Sequence, residues 1–262
     1  MIFDQEIYEL MPQLDLGSKT ILFVYTWKAV SDALQLPGDI QKCYFGDDKC
    51  IAESTNQYLR KYGKGNIDLG LPPFDNLPID DITLINSPGP LWISYKLKNQ
   101  RLKGFENATI TGITGFNRQP EMNKMIIELK IPSLVCHGDY ELRGRGVILY
   151  TNSSGSTKSD LQNVRLKLNI KNFIEYRKNR RYLKVYGVST QIELDRWILT
   201  ADNLFKENTD LTLLLNRVIN ENWIEFWNEI EATILPVYTK SILNIVNNII
   251  YNIPYDELFL TH

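Results

Sequence analysis

The sequence predicts an α+β fold in which an antiparallel sheet curls about a long carboxy-terminal helix. Two observations carry this. From about residue 80 to 200, apolar and polar residues alternate with a period of two over several segments. After Asp202, apolar residues recur at three- and four-residue steps for about 40 residues. One-faced strands need cover on their apolar side, and a helix apolar on more than one stripe needs cover around much of its circumference. A curled sheet meets both needs where a flat one would cover a single side. The space between sheet and helix suits an apolar ligand, and a solidly filled core fits the same pattern equally well.

In chain order, residues 49–62 carry the first helical signal. Ile51, Thr55, Tyr58, Leu59 and Tyr62 fall at helical spacing, and Gly63 and Gly65 end the pattern. Pro72 and Pro73 then forbid helix, because each lacks an amide donor and restricts the residue before it. In residues 92–98, Ile93, Tyr95 and Leu97 alternate with Ser94, Lys96 and Lys98. In 124–131, Met125, Ile127, Leu129 and Ile131 oppose Lys124, Glu128 and Lys130. In 164–172, Val164, Leu166, Leu168 and Ile170 oppose Arg165, Lys167, Asn169 and Lys171. Glycine-containing breaks at 144–146, 153–156 and Gly187 supply turns, bulges or bends. The carboxy-terminal pattern runs from Leu211 to Tyr251, and Pro236 is expected to kink or divide it.

Composition narrows the function classes. Of 262 residues, 44% are hydrophobic and 23% charged, which suits a folded soluble chain. The net charge of -2 points neither to nucleic acid nor to an anionic membrane, and the basic run at 177–181 reads as a solvated hairpin tip. Asn and charged residues interrupt every long apolar stretch, so no stable membrane insertion is expected. Cys43 and Cys50 are seven positions apart across a Gly-Asp-Asp turn. With His137 and His262 the only histidines, a local disulfide fits this pair better than a metal site. Such a loop stabilises by about 2.5 kcal/mol on the chain-entropy model and needs an oxidising compartment.

The apolar run at 21–27, preceded by Lys19 and followed by Ser31-Asp32-Ala33, is consistent with a degraded signal peptide cut after Ala33. The alternative is an internal strand or helix of an intracellular protein. The division expected is an extension at 1–33 and one folded domain at 34–262. Asn107-Ala108-Thr109 and Asn152-Ser153-Ser154 are acceptors for N-glycosylation if the chain is secreted, Asn152 the better one because it falls in a Ser-Gly-rich turn.

Catalytic patterns are weak. His137 reads as a surface or turn histidine, and Ser153-Ser154-Gly155-Ser156 as a loop without a nucleophile elbow. Asp47-Asp48 and Asp80-Asp81 are adjacent pairs whose side chains diverge on a strand. No Gly-rich phosphate loop follows a strand, so neither enzyme nor cofactor is expected.

An ordered set of motifs strongly resembles the insect takeout/juvenile-hormone-binding family. It comprises Cys43; Lys49-Cys50-Ile51-Ala52-Glu53-Ser54; and residues 65–75 with Asn66, Asp68, Leu69-Gly70-Leu71-Pro72-Pro73-Phe74. Gly138-Asp139-Tyr140-Glu141-Leu142-Arg143-Gly144-Arg145-Gly146, Tyr182-Leu183-Lys184-Val185 and Ala201-Asp202-Asn203-Leu204-Phe205 follow. Asn220-Glu221-Asn222-Trp223 and Ile253-Pro254-Tyr255-Asp256-Glu257-Leu258-Phe259 complete it, covering roughly 40–260. The resemblance implies a tubular lipid-binding fold, with the Cys43–Cys50 disulfide beside a short helix, 51–62, that covers one end of a tunnel. It implies a secreted, monomeric carrier of juvenile hormone, a fatty acid or another lipophile in haemolymph or chemosensory fluid, with the takeout branch linked to circadian and feeding physiology. An extracellular signalling protein with a collapsed tunnel, acting through its surface, is the alternative.

On that reading the expected tunnel lining is Tyr58, Leu134, Cys136, Tyr140, Leu166, Leu168, Leu215, Ile219, Trp223, Phe226 and Trp227. The three helix aromatics serve equally well as plain core. The moth juvenile-hormone carriers have a second disulfide, whereas only Cys136 remains here. A buried free thiol on the sheet interior is the default for it, an intermolecular bridge the alternative. That departure favours the takeout branch.

Overall fold

The computed structural model describes residues 36–66, 71–87, 92–145, 150–206, 208–250 and 252–260. The apolar run at 21–27, the cut after Ala33, the 33/34 boundary and His262 lie outside them. Among the described residues the strands are β1 (Leu77–Pro78), β2 (Ile82–Ser87), β3 (Trp92–Lys103), β4 (Thr109–Thr114), β5 (Met125–Arg145), β6 (Tyr150–Arg177), β7 (Arg180–Glu193) and β8 (Arg196–Ala201). The helices are α1 (Asp48–Tyr62), α2 (Thr209–Glu221) and α3 (Trp223–Ile250).

One antiparallel sheet holds all eight strands, and β5 and β6 are its spine, paired from Met125–Ile170 to Arg145–Tyr150. Each spine strand is long enough to serve two shorter partners along its free edge. On β5, β4 pairs with residues 126–130 and β3 with 135–145. On β6, β8 pairs with 157–162 and β7 with 165–177. β1 and β2 share the outer edge of β3. The alternating residues Leu129, Ile131, Val164, Leu166 and Leu168 are all buried, as one-faced strands require.

Two consecutive residues of α3 reach opposite ends of this sheet. The Thr239 hydroxyl donates to Thr190 Oγ1 on β7 at 2.8 Å, and Lys240 Nζ meets Asp80, between β1 and β2, at 2.7 Å. A flat sheet cannot present both ends to one helical turn, so the sheet is curled around α3. Register shifts at Thr83/Ile85, Lys98/Arg101, Ile110/Gly112 and Lys171/Asn172 supply local bends, the last with Gly187 opposite it.

Helix asparagines complete the exposed sheet edges. Asn220 accepts from the Leu199 amide at 2.8 Å and donates to the Leu199 carbonyl at 2.8 Å; Asn216 does the same with Ala201, at 2.9 and 2.7 Å. Asn247 holds both backbone groups of Val185 on β7, and Asn56 of α1 those of Ile110 on β4. Each carboxamide stands where another strand would bond, which blunts an edge that would otherwise recruit one.

Three sequence expectations change. Residues 152–156 form no turn: they lie in β6, paired with 139–143 of β5. Their smallness has a use, because a Cβ on Gly155 would fall on the Asp202 carboxylate, which accepts from the Ser156 amide at 2.7 Å and from its hydroxyl at 2.8 Å. Second, the carboxy-terminal helix divides at Asn222 rather than Pro236. Asn222 takes φ -113° and ψ 36°, and its Nδ2 donates back to the Val218 carbonyl at 2.8 Å, a local bond that competes with regular helix. Pro236 stays inside α3 on its exposed side. Third, the helical region is not covered all round: Leu211, Leu213, Leu214 and Val218 leave an apolar face of α2 exposed.

The tip of the β6–β7 hairpin is Lys178-Asn179, with φ of 47° and 61°, the two positive values that a tight right-twisted hairpin turn demands. Its flanking arginines dock the carboxy-terminal turn, Arg180 on Glu257 at 3.2 Å and Arg181 on Asp256 at 3.0 Å.

Candidate functional site

A cavity of about 300 Å³ opens between α1, the β4 end of the sheet and the last turns of α3. α1 contributes Ile51, Ser54, Thr55, Tyr58 and Leu59, the i, i+3, i+4, i+7, i+8 face of one helix. Phe105, Ala108, Ile110, Ile113 and Phe116, on and around β4, form a second wall; Ile127 and Leu129 of β5 and Leu168 of β6 lie behind them. α3 supplies Ile242, Val246 and Ile250 at four-residue intervals, and Leu258 and Phe259 close that side.

Local chemistry fixes α1 over this space. Asp47 caps it by accepting from the Cys50 amide at 3.1 Å, and a disulfide joins Cys43 to Cys50. The Cys43 backbone pairs with Phe259, and Leu260 donates its amide to the Cys43 carbonyl at 2.9 Å. Phe45 stacks on Phe259 at 4.2 Å, and Tyr255, fully buried, donates to the Asn117 carbonyl at 2.8 Å. The first and last described segments of the chain thus share one corner of the cavity.

The lining is overwhelmingly apolar. Its polar side chains are Gln41, Ser54, Thr55 and Tyr58, and among the described residues no charged side chain borders it. Ser54 donates to the Gln41 carbonyl at 2.6 Å and Thr55 to the Ile51 carbonyl at 2.7 Å. The Gln41 amide faces Cys50 Sγ at 3.7 Å. The Tyr58 hydroxyl is buried without a hydrogen-bond partner, and burial pushes its pKa well above the ordinary phenol value.

Of the lining residues expected from sequence, the structure brings Tyr58 and Leu168 to this cavity. Leu134 and Leu166 are buried in the core farther along the sheet. Cys136 is a free, buried thiol that donates to Gln100 Oε1 at 3.3 Å with Tyr238 of α3 beside it; burial raises its pKa to about 11. Tyr140 donates to the Asp202 carbonyl at 2.5 Å and stacks on Tyr95 at 5.5 Å. Leu215 and Ile219 pack half-buried from α2. Trp227 is buried edge-on against Trp197 at 5.9 Å, and Trp223 lies half-buried under the Arg196 guanidinium. Phe226 is 38% exposed, because the buried stripe of α3 runs through Trp227, Ile230, Ile234 and Tyr238 and leaves position 226 to one side.

The other polar candidates hold structure. Asp81 accepts from the Asn99 amide at 3.2 Å, and His137 is an exposed strand residue opposite Arg101. Gly138 makes room for the buried Gln100 amide, which donates to the Lys98 and Asp139 carbonyls at 2.9 Å each. Asn107 and Asn152 are both exposed. Among the described residues no helix is long and apolar enough to cross a membrane, and no three His, Cys, Asp or Glu groups could share a metal ion.

Sequence reasoning missed most of the lining. The signal for α1 was present in its i, i+4, i+7 spacing, as was that for Ile242, Val246 and Ile250. Periodicity names the buried face of a helix, however, and not which part of that face meets a void.

Comparison with known proteins agrees with this architecture. The chain is 21% identical over 228 residues to the circadian clock-controlled protein daywake of Drosophila melanogaster, covering 85% of this chain and 88% of that one. With the Drosophila yakuba protein of the same name it shares 22% over 236 residues, 87% and 90% of the two chains. The crystal structure of Epiphyas postvittana Takeout 1 superposes with a TM-score of 0.73 at 21% identity, covering 85% of this chain and all of that one. The family model for haemolymph juvenile hormone binding protein matches residues 20–260. By fold and by sequence across nearly its whole length, the chain belongs to the haemolymph juvenile hormone binding protein family.

Proposed function

We propose that this protein is an extracellular carrier that holds a small lipophilic molecule in the cavity beneath α1. The supporting observation is the cavity itself: an apolar space of about 300 Å³ walled by three separate parts of the fold. At about 30 Å³ per water-sized group, it accommodates on the order of ten non-hydrogen atoms. Burying ten methylenes contributes up to about 8 kcal/mol, equivalent to a Kd of about 1 μM, and association and ordering costs weaken it from there toward the millimolar scale. The same cavity argues for a binding rather than a catalytic role, since among the described residues no nucleophile–base pair faces it. Secretion is supported by the Cys43–Cys50 disulfide, which persists in oxidising compartments, and by exposed glycosylation acceptors at Asn107 and Asn152.

A second function, action through the surface as a signalling protein, is favoured by the exposed leucines of α2. One substitution separates the two. Ala108→Phe fills the cavity from its β4 wall and leaves α2 untouched. For a carrier, it abolishes binding of a fluorescent fatty probe and co-purification of lipid while the far-ultraviolet spectrum is preserved. Retained probe binding by the folded variant, or no lipid and no probe on the unaltered chain, rules the carrier out.

A further inference from the structure

We propose that the β6–β7 hairpin is a docking site for anionic lipid surfaces, its exposed aromatics entering the headgroup layer while lysines and arginines meet the charged headgroups. The proposal goes beyond the carrier function and stands on a different part of the molecule.

Three observations carry it. First, the large apolar side chains that the described strands leave exposed all belong to this hairpin: Tyr176 is 73% exposed, Tyr186 61% and Phe173 39%. The rings of Phe173 and Tyr186 meet at 6.0 Å, and Tyr176 stands beside the tip. Exposed aromatics rimmed by polar groups mark interaction surfaces, and a tyrosine, apolar in its body and polar at its end, suits the boundary between lipid and water. Second, residues 171–186 carry six positive side chains, Lys171, Arg177, Lys178, Arg180, Arg181 and Lys184, and one carboxylate, Glu175. The carboxy-terminal turn offsets two of them, with Glu257 on Arg180 and Asp256 on Arg181, which leaves an excess of three positive charges. The net charge of -2 for the whole chain conceals this local excess. Third, cations and rings interleave. Lys184 lies opposite Phe173 with its ammonium 5.7 Å from the ring centre, and the Lys171 stem crosses the Gly187 position beside Tyr186, where a Cβ would meet it at 3.6 Å. Lysines so placed lay their stems along apolar surface and keep their charged ends at the level of the headgroups. A sulfated glycan would be held chiefly by the charges, whereas an anionic lipid surface uses both the charges and the rings. Arg180 and Arg181 also tie the hairpin to the turn that ends at Leu258, a residue of the cavity wall, so docking brings that wall toward the lipid.

The test is co-sedimentation of the full chain with vesicles at neutral pH and low salt, made of phosphatidylcholine alone or with about a third phosphatidylserine. Partitioning should be about a hundredfold stronger to the anionic vesicles, at about fivefold for each excess charge, and about 0.5 M salt should remove most of that preference. Lys171→Gln combined with Lys184→Gln should weaken anionic binding about twenty-fivefold. Phe173→Ser combined with Tyr186→Ser should weaken it at least about fivefold, through the lost apolar burial. These four side chains are exposed or half-buried and lie outside the cavity lining, so the far-ultraviolet spectrum and probe binding in the cavity should not change. Equal partitioning to both kinds of vesicle, or none to either, overturns the proposal, whether or not the cavity binds a probe. Undiminished binding by either double variant overturns the hairpin as the site. If a variant fails to fold, the lipid and salt comparisons on the unaltered chain still decide whether an anionic surface is bound. Retention on immobilised heparin that vanishes with the two lysines, without vesicle binding, overturns the lipid partner and points to a sulfated glycan.

Discussion

Replacing Gly155 with alanine tests how the sheet is joined to the start of the helical region. A Cβ there would overlap Asp202 Oδ1 and come within 2.9 Å of the Asp202 carbonyl oxygen and 3.1 Å of the Tyr140 ring. To admit the methyl group, Asp202 must withdraw from the Ser156 amide and hydroxyl, and the carbonyl that receives the Tyr140 hydroxyl must shift. Two hydrogen bonds to a charged acceptor contribute about 1.5 kcal/mol each, and weakening the Tyr140 bond adds up to about 1 kcal/mol. The expected destabilisation is therefore about 3 kcal/mol, a large part of the 5–15 kcal/mol typical of a domain. At about 2–4 °C per kcal/mol for a chain of this size, Tm should fall by about 6–12 °C. Urea unfolding followed by tryptophan fluorescence gives the free energy. A thermodynamic cycle identifies the cause: in an Asp202→Ala background the carboxylate is already gone, so Gly155→Ala should cost about 1 kcal/mol or less. Equal costs in both backgrounds, or less than 1 kcal/mol in the parent, would show that the close approach of Gly155 to Asp202 does not constrain the fold.

Two further outcomes follow from ionisable groups. Because burial holds the Cys136 thiol at a pKa of about 11, iodoacetamide at pH 8 should leave the native protein unlabelled and add one carbamidomethyl group after unfolding in urea, read by intact mass; prompt labelling of the native chain would refute its burial. The Lys98 ammonium, 2.6 Å from Glu141, holds that carboxyl below its ordinary value, so the pair favours the folded state above the unfolded glutamate pKa and the benefit is lost as pH falls through the lower folded value; a Glu141 titration by NMR should move upward in Lys98→Met, and an unchanged midpoint would sink the pairing.

The sheet was legible where one face is buried, and illegible where that face turns polar. Met125–Ile131 and Val164–Ile170 alternate cleanly because Leu129, Ile131, Val164 and Leu168 pack inward. The start of β6 lost the pattern because its buried positions are Ser153 and Thr157. Residues too small for a hydrophobic signal were there to admit Asp202 and Tyr140. The helical asparagines illustrate the opposite failure. Asn216, Asn220 and Asn247 look like interruptions of an apolar pattern, yet they bond the edges of β8 and β7, a role that depends on partners distant in the chain. The cavity suffered similarly. Trp223 and Trp227 are the bulkiest residues of the helical region, but they pack against Arg196 and Trp197 of β8, whereas Ile242, Val246 and Ile250 meet the cavity about four turns onward. Hydrophobic period fixes rotation about a helix axis and is silent on position along it.

The pairing of Cys43 with Phe259 bears on the order in which the molecule comes into being. Synthesis releases α1 and its local disulfide early, but the segment that pairs with Cys43 emerges only after the whole sheet and α3. Until Leu258 and Phe259 are seated, that side of the cavity stays open, although α1 can already pack on the β4 wall. Such long-range closure places the slowest contacts at the end of folding. On the carrier function proposed above, the cavity therefore takes its final shape only once Phe259 is in place.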